Sequence, residues 1–228
     1  MVRFFALRFQ IIPKREMTVI FGCMFSHEMW NIRERSGGGN MKYSQYWDKI
    51  YETNNKLDHL VSSYWKSYSS FDSWQFWVVA FLLIAPLILL YFTIDRKRIV
   101  EILFFGYTVH ILWAYIDNAL ENNNFLHHTY FLFPMIPFSF DITGSVLPVG
   151  FLLVYQHCTN KNKNFYLYMV LLSLLFGFIF ASIEKLIGLV MFSKGMNQFH
   201  LVLLDVVIAL VSYWFTRLLV KVQKRSSE

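Results

Sequence analysis

From Trp74 to Ile94 the chain runs for 21 residues without a charged side chain. As an α-helix rising about 1.5 Å per residue, that run is roughly 30 Å long, the thickness of a bilayer's hydrocarbon core. Lipid offers no partner to a backbone N–H or C=O, so a segment immersed in it must satisfy both internally, and a helix does so. Four further stretches read the same way: about 99–120, a short one at about 141–155, 165–191 and 199–220. The fold class that follows is all-α, an integral membrane bundle of about five transmembrane helices. Charged residues make up only 16% of the chain, where a soluble domain carries about a quarter. Pro86 and Pro148 fall inside spans and are expected to kink them. Tyr130 to Phe140, with Pro134 and Pro137, reads as an interfacial or re-entrant extension of the third span.

The connecting loops set the orientation. Arg96, Lys97 and Arg98 lie between spans one and two, and Lys161 and Lys163 between spans three and four. Arg217, Lys221, Lys224 and Arg225 close the last span and enter the tail, 221–228. The loop from Asn122 to Phe140 has no basic residue, and the loop after span four has only Lys194. Basic loops stay cytoplasmic. The expected topology therefore places the N-terminus outside and the C-terminus inside, in a bacterial cytoplasmic membrane. The net charge of +6 reads as this topology signal plus attraction to anionic lipid. No nucleic-acid motif accompanies it.

Residues 1–40 sit badly with that sidedness, because Arg3, Arg8, Lys14, Arg15, Arg33 and Arg35 would have to cross. Gly37-Gly38-Gly39-Asn40 precedes Met41. Three glycine codons write a G-rich tract just before an ATG, as a translated ribosome-binding site would. The reading is that residues 1–40 are not native protein and that translation starts at Met41. The competing reading is a glycine linker after a genuine N-terminal segment. From Met41 to Tyr68, aromatic and aliphatic residues recur near helical spacing between alternating charges. Residues 41–73 are thus expected to hold an amphipathic, aromatic-rich helix lying on the outer membrane surface, with a possible break at Asn54-Asn55. A small soluble cap on the bundle is the alternative.

Several short motifs follow in order. Ser73-Trp74-Gln75-Phe76-Trp77 opens span one, and Asp95-Arg96-Lys97-Arg98 is followed by Glu101-Ile102-Leu103. Ile116-Asp117 comes next, then Leu147-Pro148-Val149-Gly150 through Val154-Tyr155-Gln156, and Glu184 in span four. In these the chain resembles an uncharacterised family of multispanning membrane proteins from Bacillus-like and clostridial Firmicutes. The resemblance implies the membrane architecture and a Firmicute source, and no catalytic residues.

Ionisable residues within spans are penalised by about 2.5–3.5 kcal/mol or more at the centre of a helix, so they are the places to look for function. Asp117 and Glu121 follow His110 by seven and eleven residues, near one helical face of span two. Asp141 opens span three, Glu184 lies in the outer third of span four, and His200 and Asp205 begin span five. Asp117, Glu121, Asp141, Glu184, His200 and Asp205 are therefore predicted at similar height near the outer leaflet, with His110 deeper. Such a set has the hard-oxygen and imidazole character of a divalent metal site, and equally of a general acid and base. Neither HExxH, paired CxxC nor Gly-x-Ser-x-Gly is present, and Cys23 and Cys158 match no metal or disulfide spacing. The plainer alternative is structural: ends solvated by headgroup water, and Asp117, Glu184 and Asp205 pairing with Lys185, a Tyr or Trp, or a neighbouring helix. Glu101 is expected to pair with Arg98 or Lys97, and His127 and His128 to be exposed.

Three function classes remain. The favoured one is a non-enzymatic sensor or accessory subunit acting through a membrane partner or a second copy. The others are a small cation- or proton-coupled transporter and an enzyme acting on lipid at the outer leaflet. No cofactor is expected. The partners expected are the lipid bilayer and a membrane protein, not nucleic acid.

Overall fold

The computed structural model describes residues 41–134 and 139–226; residues 1–40 and Pro137 lie outside them. The chain divides into two units, Met1–Asn54 and Asn55–Glu228. In the first unit the described residues 43–54 begin helix α1, Tyr43–Tyr64, which buries no residue. Tyr43, Trp47 and Tyr51 form an i, i+4 ladder along it, with ring centroids 6.1 and 5.7 Å apart. Asn54 and Asn55 lie within this helix rather than ending it.

The second unit is mostly helical. Its helices are α2 Trp74–Thr93, α3 Ile99–Asn122, α4 Leu147–Asn160, α5 Phe165–Leu174, α6 Ala181–Leu186 and α7 Gln198–Ser226. Among the described residues, four helical stretches are long and apolar enough to cross a membrane: Trp74–Thr93, Arg96–Asn122, Phe165–Leu186 and Gln198–Gln223. The third of these is α5 and α6 joined by a π-helical turn, Leu175–Phe180.

Local chemistry sets the ends. Ser73 caps α2 by accepting from the Phe76 amide (3.3 Å). Asp95 Oδ1 accepts from the Lys97 amide (3.0 Å), which turns the chain into α3. Asn164 caps α5 through the Leu167 amide (3.3 Å). About one turn before Pro86, the Leu83 carbonyl accepts from Ser145 Oγ (2.6 Å). Pro148 lies in the first turn of α4, into which helical backbone runs unbroken from residue 140. A π-helical turn, Ile142–Val146, precedes it.

Helix α4 is the stretch expected as the third span, and it is not among the four. Its 14 residues rise about 21 Å, short of a hydrocarbon core. It buries Leu147, Pro148, Val149, Phe151, Leu152, Tyr155 and Cys158, whereas the longer α2 buries only Phe76 and Val79. The shortest of the expected spans is thus the most enclosed, packed among α2, α3 and α5. Its neighbours on the core side are Ile102, Phe105, Val109 and Trp113 of α3, with Met169 of α5 and Ile208 of α7. Those α3 positions are three and four residues apart, one stripe of the helix. Because lipid tails are as apolar as leucine, close packing rather than water exclusion holds such helices together. Phe105 stacks on Tyr155 (4.3 Å) and Phe165 on Tyr213 (4.1 Å).

One element departs from an all-helical reading. Strands β1, Leu126–His128, and β2, Val190–Phe192, pair antiparallel, with Leu126 opposite Phe192 and His128 opposite Val190. The expected fourth span therefore ends at Leu186, and Gly188 turns the chain with φ +78. The segment after β1 is clipped from below. Ser69 Oγ donates to the Phe131 carbonyl (2.9 Å) while the Phe131 amide donates back (2.8 Å). Trp65 Nε1 donates to the same carbonyl (3.1 Å).

Candidate carboxylate pocket

The buried stripe of α3 does not end with the apolar core. One turn beyond Trp113 it reaches Asp117, only 3% exposed. His128 Nε2 donates to Asp117 Oδ1 (3.2 Å). Ser139 Oγ donates to the other oxygen, Oδ2. The α3 carboxylate thus holds the strand β1 and the segment leading to α4. Strand alternation explains the histidines: Leu126 and His128 face inward while His127 is half-exposed. The sequence reading left both at the surface, because three strand residues carry no recognisable period.

A pocket of about 50 Å³ opens beside this pair, and Trp113, Asp117, His128, Glu184 and Asp205 line it. Asp205, on α7, accepts from Trp113 Nε1 (3.0 Å). Glu184, on α6, is 5% exposed, and its Oε1 has no hydrogen-bond partner. The charges of His128, Asp141 and Asp117 act on Glu184. Asp141 is itself buried, and Glu121 and Asp141 both add to the negative field at His128. Burial works against a charge on that imidazole, but the adjoining carboxylates, Asp117 foremost, outweigh it and push its pKa up to about 9. The remaining wall is apolar and includes Phe176, Phe180, Phe192 and Leu201.

Asp117, Glu184 and Asp205 therefore share one pocket, with Glu121 and Asp141 close enough to act electrostatically. His200 does not join them; it is half-exposed at the start of α7 and its Nδ1 meets the Asn197 side chain (3.0 Å). His110 lies two turns back along α3, where its Nδ1 donates to the Thr143 carbonyl (2.8 Å). Among the described residues Lys185 pairs with none of the carboxylates; its ammonium lies 5.9 Å from the Phe192 ring centroid. His128, Ser139 and Trp113 are the members that the sequence reading lacked. Among the described residues no three of His, Cys, Asp and Glu are arranged to hold a metal ion.

Fold and pocket together define a mostly helical protein, with four membrane-length helices among the described residues and a pocket lined by buried carboxylates. The chain matches no family profile, no curated protein and no solved structure.

Proposed function

We propose that the protein is a non-enzymatic multi-pass membrane protein, a sensor or accessory subunit whose carboxylate pocket takes a small organic cation. The observation that carries this reading is Glu184. Its Oε1 is buried without a partner in the wall of a pocket that Asp117 and Asp205 also line. A buried acceptor left unsatisfied costs about 1–3 kcal/mol, and more if charged; a cation in the pocket would remove that cost. Trp113, Phe176 and Phe180 beside the carboxylates suit an ammonium group, which aromatic faces attract.

The same geometry argues against acyl-transfer chemistry on lipid. Ser139 and His128 both donate to Asp117. A nucleophile activated by its base needs Ser and His bonded to each other.

The topology that goes with this reading has five crossings, α4 with its preceding π-turn being the fifth. The N-terminus is outside, the C-terminus is inside, and the membrane is a bacterial cytoplasmic one. Signalling would pass to a membrane partner or to a second copy of the chain. The test is thermal unfolding of the detergent-purified chain with methylammonium, ethylammonium and tetramethylammonium, each against sodium. One of the amines should stabilise the wild type, and Glu184→Gln should abolish that shift while keeping the fold. Equal response to sodium and to every amine would overturn the reading.

A further inference from the structure

The opposite end of the bundle has the opposite charge. Glu101 lies sixteen residues before Asp117 on α3, about 24 Å away along the helix. There a recess of about 570 Å³ opens among the start of α3, the end of α4, the start of α5 and the second half of α7. Arg98, Lys163 and Arg217 line it, and among the described residues Glu101 is the one carboxylate in its wall.

That carboxylate is already neutralised. Arg98 grips both oxygens of Glu101 (2.7 and 3.2 Å), and Tyr155 donates its hydroxyl to Oε1 (2.6 Å). Arg98 is fixed in turn by Thr159 (3.0 Å) and Asn160 (2.5 Å). The other two cations are less committed, although the charge of Arg217 also acts on Glu101. Arg217 lies over the Tyr213 ring, 6.0 Å from its centroid. Neither Arg217 nor Lys163 forms a side-chain hydrogen bond or ion pair among the described residues. The N-terminus of α5, whose Phe165 is part of the wall, adds the positive end of a helix dipole.

We propose that this recess is a binding site for a phosphate-bearing anion, held by Arg217 and Lys163. Two unpaired cations facing one polar cavity create a potential that a single anionic group relieves, and an arginine fork matches phosphate oxygens. The cavity is far larger than a monatomic ion needs, so the anion carries further groups. Basic pockets between membrane helices on the cytoplasmic side bind lipid headgroups in this way. A soluble phosphate ester offers the same group. The site is independent of the carboxylate pocket, which it does not touch.

The test uses the full chain in uncharged detergent, with unfolding temperature as readout. It is titrated separately with short-chain phosphatidylglycerol, short-chain phosphatidylcholine and inorganic phosphate. The expected result is stabilisation by phosphatidylglycerol at a concentration at least tenfold lower than phosphatidylcholine requires. The double variant Lys163→Gln, Arg217→Gln should lose at least tenfold in apparent affinity, while Lys161→Gln, Lys221→Gln, outside the recess, should not. Both pairs are exposed, so folding survives, which circular dichroism checks. If inorganic phosphate stabilises equally and with the same dependence on Lys163 and Arg217, the site stands and its ligand is soluble. If neither phosphate source stabilises the wild type, or the two double variants respond alike, the proposal fails.

Discussion

His128 Nε2 and Asp117 Oδ1 meet at 3.2 Å in the protein interior, eleven residues apart in the chain. One belongs to a three-residue strand and the other to the helix that carries the core. Their pairing ties the β1–β2 ribbon to α3. Removing either partner strands a buried charge. Asp117→Asn and His128→Asn should therefore each destabilise by about 3–5 kcal/mol, with the double variant well short of the sum. Chemical unfolding in detergent, read as a double-mutant cycle, measures the coupling; additive costs would show that the two residues do not interact.

The same pair makes stability depend on pH. His128 titrates near 6.5 when free and about 9 in the fold, where Asp117, Glu121 and Asp141 face it. The folded state therefore holds its proton more tightly than the unfolded chain. Its contribution is complete below pH 6.5 and is lost as pH rises through about 9. Melting temperature should fall across that window, and His128→Asn should flatten the fall. A decline of the same size in the variant would assign it to other groups.

Close helix approach is concentrated at Gly177, in the π-turn of the fourth expected span. A Cβ there would lie 2.4 Å from Val202 Cγ2, 3.0 Å from the Val202 amide nitrogen and 3.2 Å from the Gln198 carbonyl. Two of these neighbours are backbone, so α7 itself would have to move. At Gly106 the Cβ would meet only the Leu152 side chain, nearest at Cδ1 (2.6 Å), which can rotate. Gly177→Ala is expected to destabilise by about 1–3 kcal/mol and Gly106→Ala by less. Thermal unfolding of the two variants side by side tests the order.

Sidedness is open to a direct chemical test. In a chain with Cys23→Ser and Cys158→Ser, Lys194→Cys should react with a membrane-impermeant maleimide in intact cells. Lys161→Cys should react only after lysis. The two positions bracket helix Phe165–Leu186, so they report on opposite faces. Labelling of both from one side would remove that helix from the crossings, and the reverse pattern would invert the topology.

Long apolar runs are legible because hydrocarbon selects on composition alone, residue by residue. Trp74 to Thr93 needed no partner to be read as a membrane-length helix. The placement of Glu121 one helical turn after Asp117 on α3 was legible as well. The pairing of Glu101 with Arg98 also follows from a spacing of three across the start of α3. Each of these rests on distances of a few residues.

What the sequence by itself determined is therefore the helical, membrane-length character of four stretches among the described residues; a similar depth for Asp117, Glu184 and Asp205 is its expectation. Tertiary structure decided who meets them. It brought in His128 from a strand, Ser139 from the approach to α4 and Trp113 from the core, and it left His200 on a half-exposed edge. It also placed the shortest apolar stretch, α4, at the centre and not at the lipid boundary. The physical reason is reach: helical periodicity fixes which residues share a face, but a loop's path depends on contacts with segments far away in the chain, such as Ser69 holding Phe131 or Leu126 paired with Phe192.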